Sequence, residues 1–121
     1  MLTLPIKKKW YDMILSGEKK EEYREIKPYY TSRFKNAHLY DDDDFRALTK
    51  NPEILGWNWI LLRNGYSRRS PSVFAKVRLR IGKGRTDWGA EPDVDYYVLE
   101  VVELRDYETS GIISFKGSDP E

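Results

Sequence analysis

The sequence predicts an α+β domain, in which a small mixed β-barrel carries a short helix after its first strand and one or two further short helices. Three observations predict this fold. Apolar residues alternate with other residues over 2–6, change to helical spacing over 7–16, and return to alternation over 73–81 and 95–104. An early strand and short helix, followed by a half rich in strands, are typical of small barrel-like folds.

Composition limits the chemistry that is possible. The chain has 121 residues, which suits one domain spanning 1–121, and it shows neither an internal repeat nor a linker. It contains no cysteine and a single histidine, His38. Disulfides, thiol nucleophiles, cysteine-ligated zinc and multi-histidine metal sites are therefore excluded. We expect no metal and no cofactor.

Charge and hydropathy bear on the expected partners and cellular location of the protein. Charged residues make up 34% of the sequence, but the formal net charge is only +1. A strongly cationic nucleic-acid binder is therefore not expected, although a local basic patch remains open. No stretch reaches transmembrane length, and the N-terminus lacks the apolar core of a signal peptide. We expect a cytoplasmic protein with no membrane partner; the sequence leaves its oligomeric state open.

The first strand and helix have clear boundaries. Pro5 places the strand over 2–6 at an edge or near a strand end. In the helix that follows, Trp10, Met13 and Ile14 share one face, which favours core packing. Gly17 is the expected left-handed residue after its last turn. The lysines over 7–9 lie at the helix N-terminus, where cations are slightly unfavourable, and this hints at an anionic partner.

The next segment, 17–24, is the most highly charged part of the chain. If it forms a strand, alternation places Glu22 and Arg24 on one face, and Lys19 with Tyr23 on the other. Burying an unpaired charge lowers the stability of a protein by roughly several kcal/mol. The face with Glu22 and Arg24 is therefore either exposed to solvent or a polar binding site.

The middle of the chain is the least regular. Pro28 suits the first turn of a second helix, with Tyr30 and Phe34 paired at i and i+4. Residues 37–40 read as a brief strand. The acidic run over 41–44 fits the start of a third helix with Asp44 as its N-cap, because contiguous aspartates lack the spacing of a calcium loop.

The second half favours strands. Residues 57–62 are followed by the turn signal Asn64-Gly65 and a basic loop. The segment 73–81 is apolar on one side and basic on the other, with Arg78 and Arg80 on the basic side, which is either a solvated face or an RNA track. In 95–104 both faces are apolar; alternation groups Val98, Val102 and Leu104 on one face and Tyr97, Leu99 and Val101 on the other.

The charged segment carries a recognisable motif. Its pattern, Gly17-x-Lys19-x-x-Glu22-x-Arg24, follows a strand and a short helix, and it resembles the motif of the ASCH family, part of the PUA-like superfamily of RNA-associated domains. Segments 64–66, 73–81, 88–92 and 95–104 extend the resemblance, over roughly the whole chain after Met1, to a bacterial and phage-associated branch of that family.

The resemblance implies a PUA-like barrel in which Lys19, Glu22 and Arg24 line a cleft that binds RNA or a nucleotide. Arg24 would hold a phosphate, Glu22 would accept hydrogen bonds from a base edge, and Tyr66 or Trp88 would stack on a base. Arg78 and Arg80 are further candidates for RNA contact.

An enzyme and a structural domain remain alternatives. One bacterial branch that the chain resembles is an amidohydrolase acting on acylated cytidine, with a threonine two residues before the motif arginine; here that residue is Glu22. Another branch is a ribonuclease. Lys19 and Glu22 are the candidate catalytic residues for a hydrolase. In the third interpretation the charged strand only stabilises the barrel.

Overall fold

The computed structural model describes residues 1–51, 56–106 and 115–116. Within them the chain forms three helices, six strands and one 3₁₀ turn at Thr86–Trp88. The helices are α1 Lys8–Leu15, α2 Pro28–Asn36 and α3 Asp42–Lys50. The strands are β1 Thr3–Ile6, β2 Glu21–Glu25, β3 Gly56–Asn64, β4 Ser72–Lys83, β5 Asp95–Asp106 and β6 Phe115–Lys116.

The strands form one mixed sheet in the order β1-β3-β4-β5-β2, with β6 also paired to β5. Only the pairing of β1 with β3 is parallel in the described part of the chain; the other neighbours are antiparallel. The sheet curls into a half-barrel, so the α+β, barrel-like architecture predicted from the sequence is confirmed at this level. No helix among the described residues is long and apolar enough to cross a membrane.

The core lies on the concave side of this sheet, which we call the inner face. Alternation in β4 turns Val73, Ala75, Val77 and Leu79 inward, as predicted. They pack with residues of all three helices, among them the buried Tyr11, Ile14 and Phe34 and the partly buried Phe45. The predicted core residues Leu4, Ile6 and Leu99 belong to the same cluster, and Val101 packs against it.

Two predictions about the middle of the chain are wrong. Residues 37–40 form no strand; they make a turn in which Leu39 and Tyr40 are buried. The N-cap of α3 is Asp41 rather than Asp44. Its carboxylate accepts the backbone N–H of Asp44, whose own carboxylate accepts the N–H of Asp41, and these reciprocal bonds form a capping box.

The prediction of which β5 residues share a face is wrong beyond residue 101, because β5 contains a β-bulge. The register with β4 shifts between Lys76 and Val77, which pair with Glu103 and Val101 and leave Val102 as the extra residue. Beyond the bulge the alternation is inverted. Leu104 therefore joins Leu99 in the core, whereas sequence alternation grouped it with Val98 and Val102.

The inner face of β4 yields a test of the fold. Val77 is fully buried in the main core. Val77→Asp would place an unpaired carboxylate there, and we expect the free energy of unfolding to fall by about 3 kcal/mol or more. The neighbouring Arg78 is exposed, so Arg78→Ser should change it by less than about 0.5 kcal/mol. Denaturant melts of both variants measure this; equal stability of Val77→Asp and the wild type would contradict the assigned core.

Candidate functional site

A cleft of about 780 Å³ opens on the side of the molecule where β1, β2, α1 and α2 meet. The β3–β4 turn and the loop after the 3₁₀ turn complete its walls. It is lined by charged, aromatic and apolar side chains together. Those used below are Lys7, Trp10, Lys19, Glu22, Arg24, Tyr29, Tyr30, Arg33, Tyr66 and Trp88.

Lys19 is a fully buried cation in the wall of the cleft. Its ammonium donates hydrogen bonds to the backbone carbonyls of Glu21 at 2.5 Å and Trp88 at 2.7 Å. It also lies 5.2 Å from the ring centre of Trp10 and 4.8 Å from that of Tyr23. Burial lowers the pKa of Lys19 from its ordinary 10.5, and the nearby Glu22 carboxylate opposes that shift.

Glu22 is the buried anion between two cations. Its Oε1 lies 3.2 Å from the Lys19 ammonium, and its Oε2 accepts a hydrogen bond from the Arg24 guanidinium. Arg24 also donates to the carbonyls of Tyr23 at 2.7 Å and Pro5 at 2.8 Å. We call Lys19, Glu22 and Arg24 the charged triad. It connects β2 with β1 and, through Lys19, with the loop that carries Trp88.

The two oxygens of Glu22 differ in an important respect. Oε2 is hydrogen-bonded to Arg24, whereas Oε1 is buried and receives no hydrogen bond from any described residue. It lies 3.2 Å from the Lys19 ammonium, and that ion pair compensates its charge. Oε1 has almost no exposed surface. Glu22 therefore contributes a buried, ion-paired carboxylate to the wall of the cleft.

The Trp88 loop is held against the cleft by specific contacts. The Arg85 backbone N–H donates to the hydroxyl of Tyr23 at 2.9 Å, and the Arg85 guanidinium lies 4.3 Å from the ring centre of Trp88. Gly89 has a φ of +104°, and a Cβ there would lie 3.0 Å from the Trp10 ring. Glycine is therefore required at this position both for the left-handed backbone and for the close approach to Trp10.

Aromatic rings and cations surround the opening. Tyr66 is 88% exposed, and the Arg33 guanidinium lies 4.1 Å from the ring centre of Tyr29. Lys7 is exposed at the N-cap of α1. No described carboxylate lies within ion-pair distance of Lys7 or Arg33.

The structure brings together five of the predicted site residues and separates two. The five that line the cleft are Lys19, Glu22, Arg24, Tyr66 and Trp88. Arg78 and Arg80 lie on β4 and are not part of its lining. Arg80 is held by ion pairs with Glu21 and Glu100, each at 3.1 Å, so its charge is already compensated.

Sequence alternation predicted the wrong side for Lys19. The predicted strand over 17–24 separates Lys19 from Glu22, but β2 begins only at Glu21. Lys19 therefore lies in the connection before the strand, where alternation does not apply, and its long side chain reaches the same site as Glu22.

Sequence reasoning missed several lining residues. Trp10 was expected to be core; it packs partly against the core and also lines the cleft. Tyr30 and Arg33 belong to α2, whose placement over the cleft has no local signal. The one available hint was the lysine run over 7–9, since Lys7 and Lys8 line the opening.

Among the described residues, no group of three or more histidine, aspartate or glutamate side chains is placed to bind a metal ion.

The chain was compared with models of protein families, with curated proteins and with solved structures, and none of them matches it.

The charged triad makes a prediction about stability. Lys19→Met keeps the length of the side chain but removes the charge, leaving two carbonyls and the Glu22 carboxylate without this partner. We expect a loss of about 3 kcal/mol in the free energy of unfolding. Lys8→Met is the matched control, because the partner of Lys8 among the described residues is Asp12, in an exposed ion pair whose removal should cost less than about 1 kcal/mol. Equal effects of the two substitutions would show that Lys19 is not part of a buried network.

Proposed function

We propose that this chain is an RNA- or nucleotide-binding domain whose ligand occupies the cleft beside the charged triad. A cleft of this volume falls within the usual range for small-molecule sites, about 300–1,000 Å³. The proposal is for a binding site, with Lys19, Glu22 and Arg24 as its polar wall.

The observation that carries the proposal is the carboxylate of Glu22, which is buried in the wall of the cleft and fixed between two cations. A ligand that offers an N–H or O–H group would donate to this carboxylate once the side chains that shield it shift. The exocyclic amino and ring N–H groups of nucleobases are donors of this kind, and protein carboxylates read base edges in this way. Because Glu22 is ion-paired with Lys19 and accepts a hydrogen bond from Arg24, its carboxylate is held in place as a fixed acceptor.

The aromatic residues supply the faces on which a base would stack. Tyr66 projects from the β3–β4 turn and has no aromatic partner within the described residues, while Trp88 lies on the opposite loop with Arg85 against its ring. Stacking on such rings is worth about 1–3 kcal/mol per base. Both rings line the same cleft as Glu22.

A phosphate would be held by the cations of the rim. Arg24 was the expected phosphate ligand, but its guanidinium already donates to Glu22 and to two carbonyls. Lys7 and Arg33 line the cleft without a carboxylate partner among the described residues, so we assign the phosphate to them. Arg24 then fixes the orientation of Glu22.

The resemblance of the Gly17-to-Arg24 motif to the ASCH family supports the same site. That family has a PUA-like barrel and is RNA-associated, and the curled α+β sheet of this chain is compatible with such a barrel. Glu22 stands where the amidohydrolase branch has threonine, so the hydroxyl nucleophile of that branch is missing from this position. Binding rather than acyl transfer is therefore the function we propose.

Titration of the protein with the four nucleoside 5′-monophosphates tests the proposal. We expect at least one to bind, and Tyr66→Ala to weaken that binding about 5- to 150-fold, the equivalent of one stacked base. Because Tyr66 is almost wholly exposed, the melting temperature should stay within about 1 °C of the wild type. Isothermal calorimetry and a thermal melt give the two values.

Val94→Ala is the matched control, since it shortens an exposed apolar side chain that does not line the cleft. The Val94→Ala variant should bind the nucleotide with the affinity of the wild type. If none of the four nucleotides binds with a Kd below about 1 mM, or if Tyr66→Ala binds as tightly as the wild type, the cleft is not the nucleotide site that we propose.

A further inference from the structure

The convex side of the sheet, opposite the core, is a second surface of unusual composition. The three helices pack on the inner face, as their contacts with inward residues of β3 and β4 show. The side chains of β3, β4 and β5 that point the other way do not belong to this core cluster. We call the patch formed by Trp57, Trp59, Lys76, Arg78 and Arg105 the outer face.

Two tryptophans lie side by side on the outer face. Trp57 and Trp59 are two residues apart on β3, so both point to the same side of the sheet, with a spacing of about 6.6 Å along the strand. Trp57 is 55% exposed, which is unusual for so large an apolar ring. Trp59 is partly buried, so the strand presents one exposed ring with a second, half-covered ring beside it.

Cations lie next to both rings. The Lys76 ammonium is 4.4 Å from the ring centre of Trp57, and the Arg105 guanidinium is 5.0 Å from that of Trp59. Arg78 is exposed directly opposite Trp57 in the β3–β4 register. The register thus places an aromatic ring and a positive charge together at successive positions along the sheet.

The charges of this surface do not cancel. Glu100 and Glu103 also point outward on β5, but Glu100 is paired with Arg80 and Glu103 with Arg105. In the described part of the chain, Lys76 and Arg78 have no carboxylate within ion-pair distance. The patch is therefore left with an excess of positive charge beside its two rings, although the net charge of the whole chain is only +1.

We propose that the outer face is a second binding site, separate from the cleft, and that it takes single-stranded nucleic acid. Bases of a single strand would stack on Trp57 and Trp59, because the ring spacing is roughly twice the 3.4 Å rise of stacked nucleotides and so admits one base between the two rings. Lys76 and Arg78 would neutralise the accompanying phosphates. Rings plus cations on an open sheet are how many proteins hold single strands without reading their sequence.

The polyanion is favoured over a protein partner by the unpaired cations, because the central part of a protein interface is depleted of charged residues. It is favoured as a single strand because duplex bases are already stacked on each other and present no faces to the rings. The proposal does not depend on occupation of the cleft, since no residue of the outer face lines it.

The four tryptophans make a direct test possible, because Trp10 and Trp88 line the cleft while Trp57 and Trp59 lie on the outer face. Wild-type protein labelled with 5-fluorotryptophan gives a separate ¹⁹F NMR probe at each position. We expect octauridylate and octathymidylate to shift the Trp57 and Trp59 resonances at low salt, and uridine monophosphate and a blunt duplex to leave both unchanged. Unchanged Trp57 and Trp59 resonances with both single strands would overturn the proposal, whereas failure of the cleft proposal would be seen separately at Trp10 and Trp88.

A pair of charge variants measures the role of the cations. Lys76→Ser/Arg78→Ser should weaken octauridylate binding at least tenfold, and should reduce the slope of log affinity against log salt by about 1.4, as expected for two lost phosphate contacts to a single strand. Arg68→Ser/Arg69→Ser removes the same charge from an exposed loop at the other end of β3 and β4 and should change the affinity less than threefold. Equal losses in the two variants would mean that the binding follows total charge only, and would contradict a site on the outer face.

Discussion

The ion pairing of the Glu22 carboxylate with Lys19 and Arg24 is the constraint on which the cleft depends. A carboxylate as deeply buried as that of Glu22 lowers the stability of the fold by roughly several kcal/mol unless cations and hydrogen bonds compensate its charge. The two cations that compensate it also donate to backbone carbonyls, Lys19 to Trp88 and Arg24 to Pro5. One buried anion thereby holds β1, β2 and the Trp88 loop in a fixed relation, and these three elements form part of the walls of the cleft.

Stability alone does not account for such an arrangement. A buried charge pair is often no more stabilising than apolar side chains of similar volume, so the same strands could be joined without Glu22. A site that binds a ligand gives the buried triad a reason, because the two cations keep the Glu22 carboxylate oriented before the ligand arrives.

What the sequence could predict followed from local patterns. Alternation identified β4 and its buried residues, since a period of two is a property of the strand itself. Leu104 was assigned to the wrong face because the bulge at Val102 arises from pairing with β4, which has no signal in β5. Lys19, Glu22 and Arg24 were recognised from their charge and their motif. The cleft roles of Trp10, Tyr30 and Arg33 were not, because α1 and α2 meet at the cleft with β2 and the Trp88 loop, which are distant from them in sequence or carry no local signal of the meeting.

The most direct test of the account is a crystal structure of the protein with a bound nucleoside monophosphate. The account predicts a donor atom of the base within about 3.2 Å of a carboxylate oxygen of Glu22. Lys19 and Arg24 should keep the contacts that they have without ligand, and the phosphate should lie near Lys7 and Arg33. A nucleotide bound elsewhere, or an Arg24 that leaves Glu22 to hold the phosphate, would contradict the assignment of the charged triad as a preformed acceptor site.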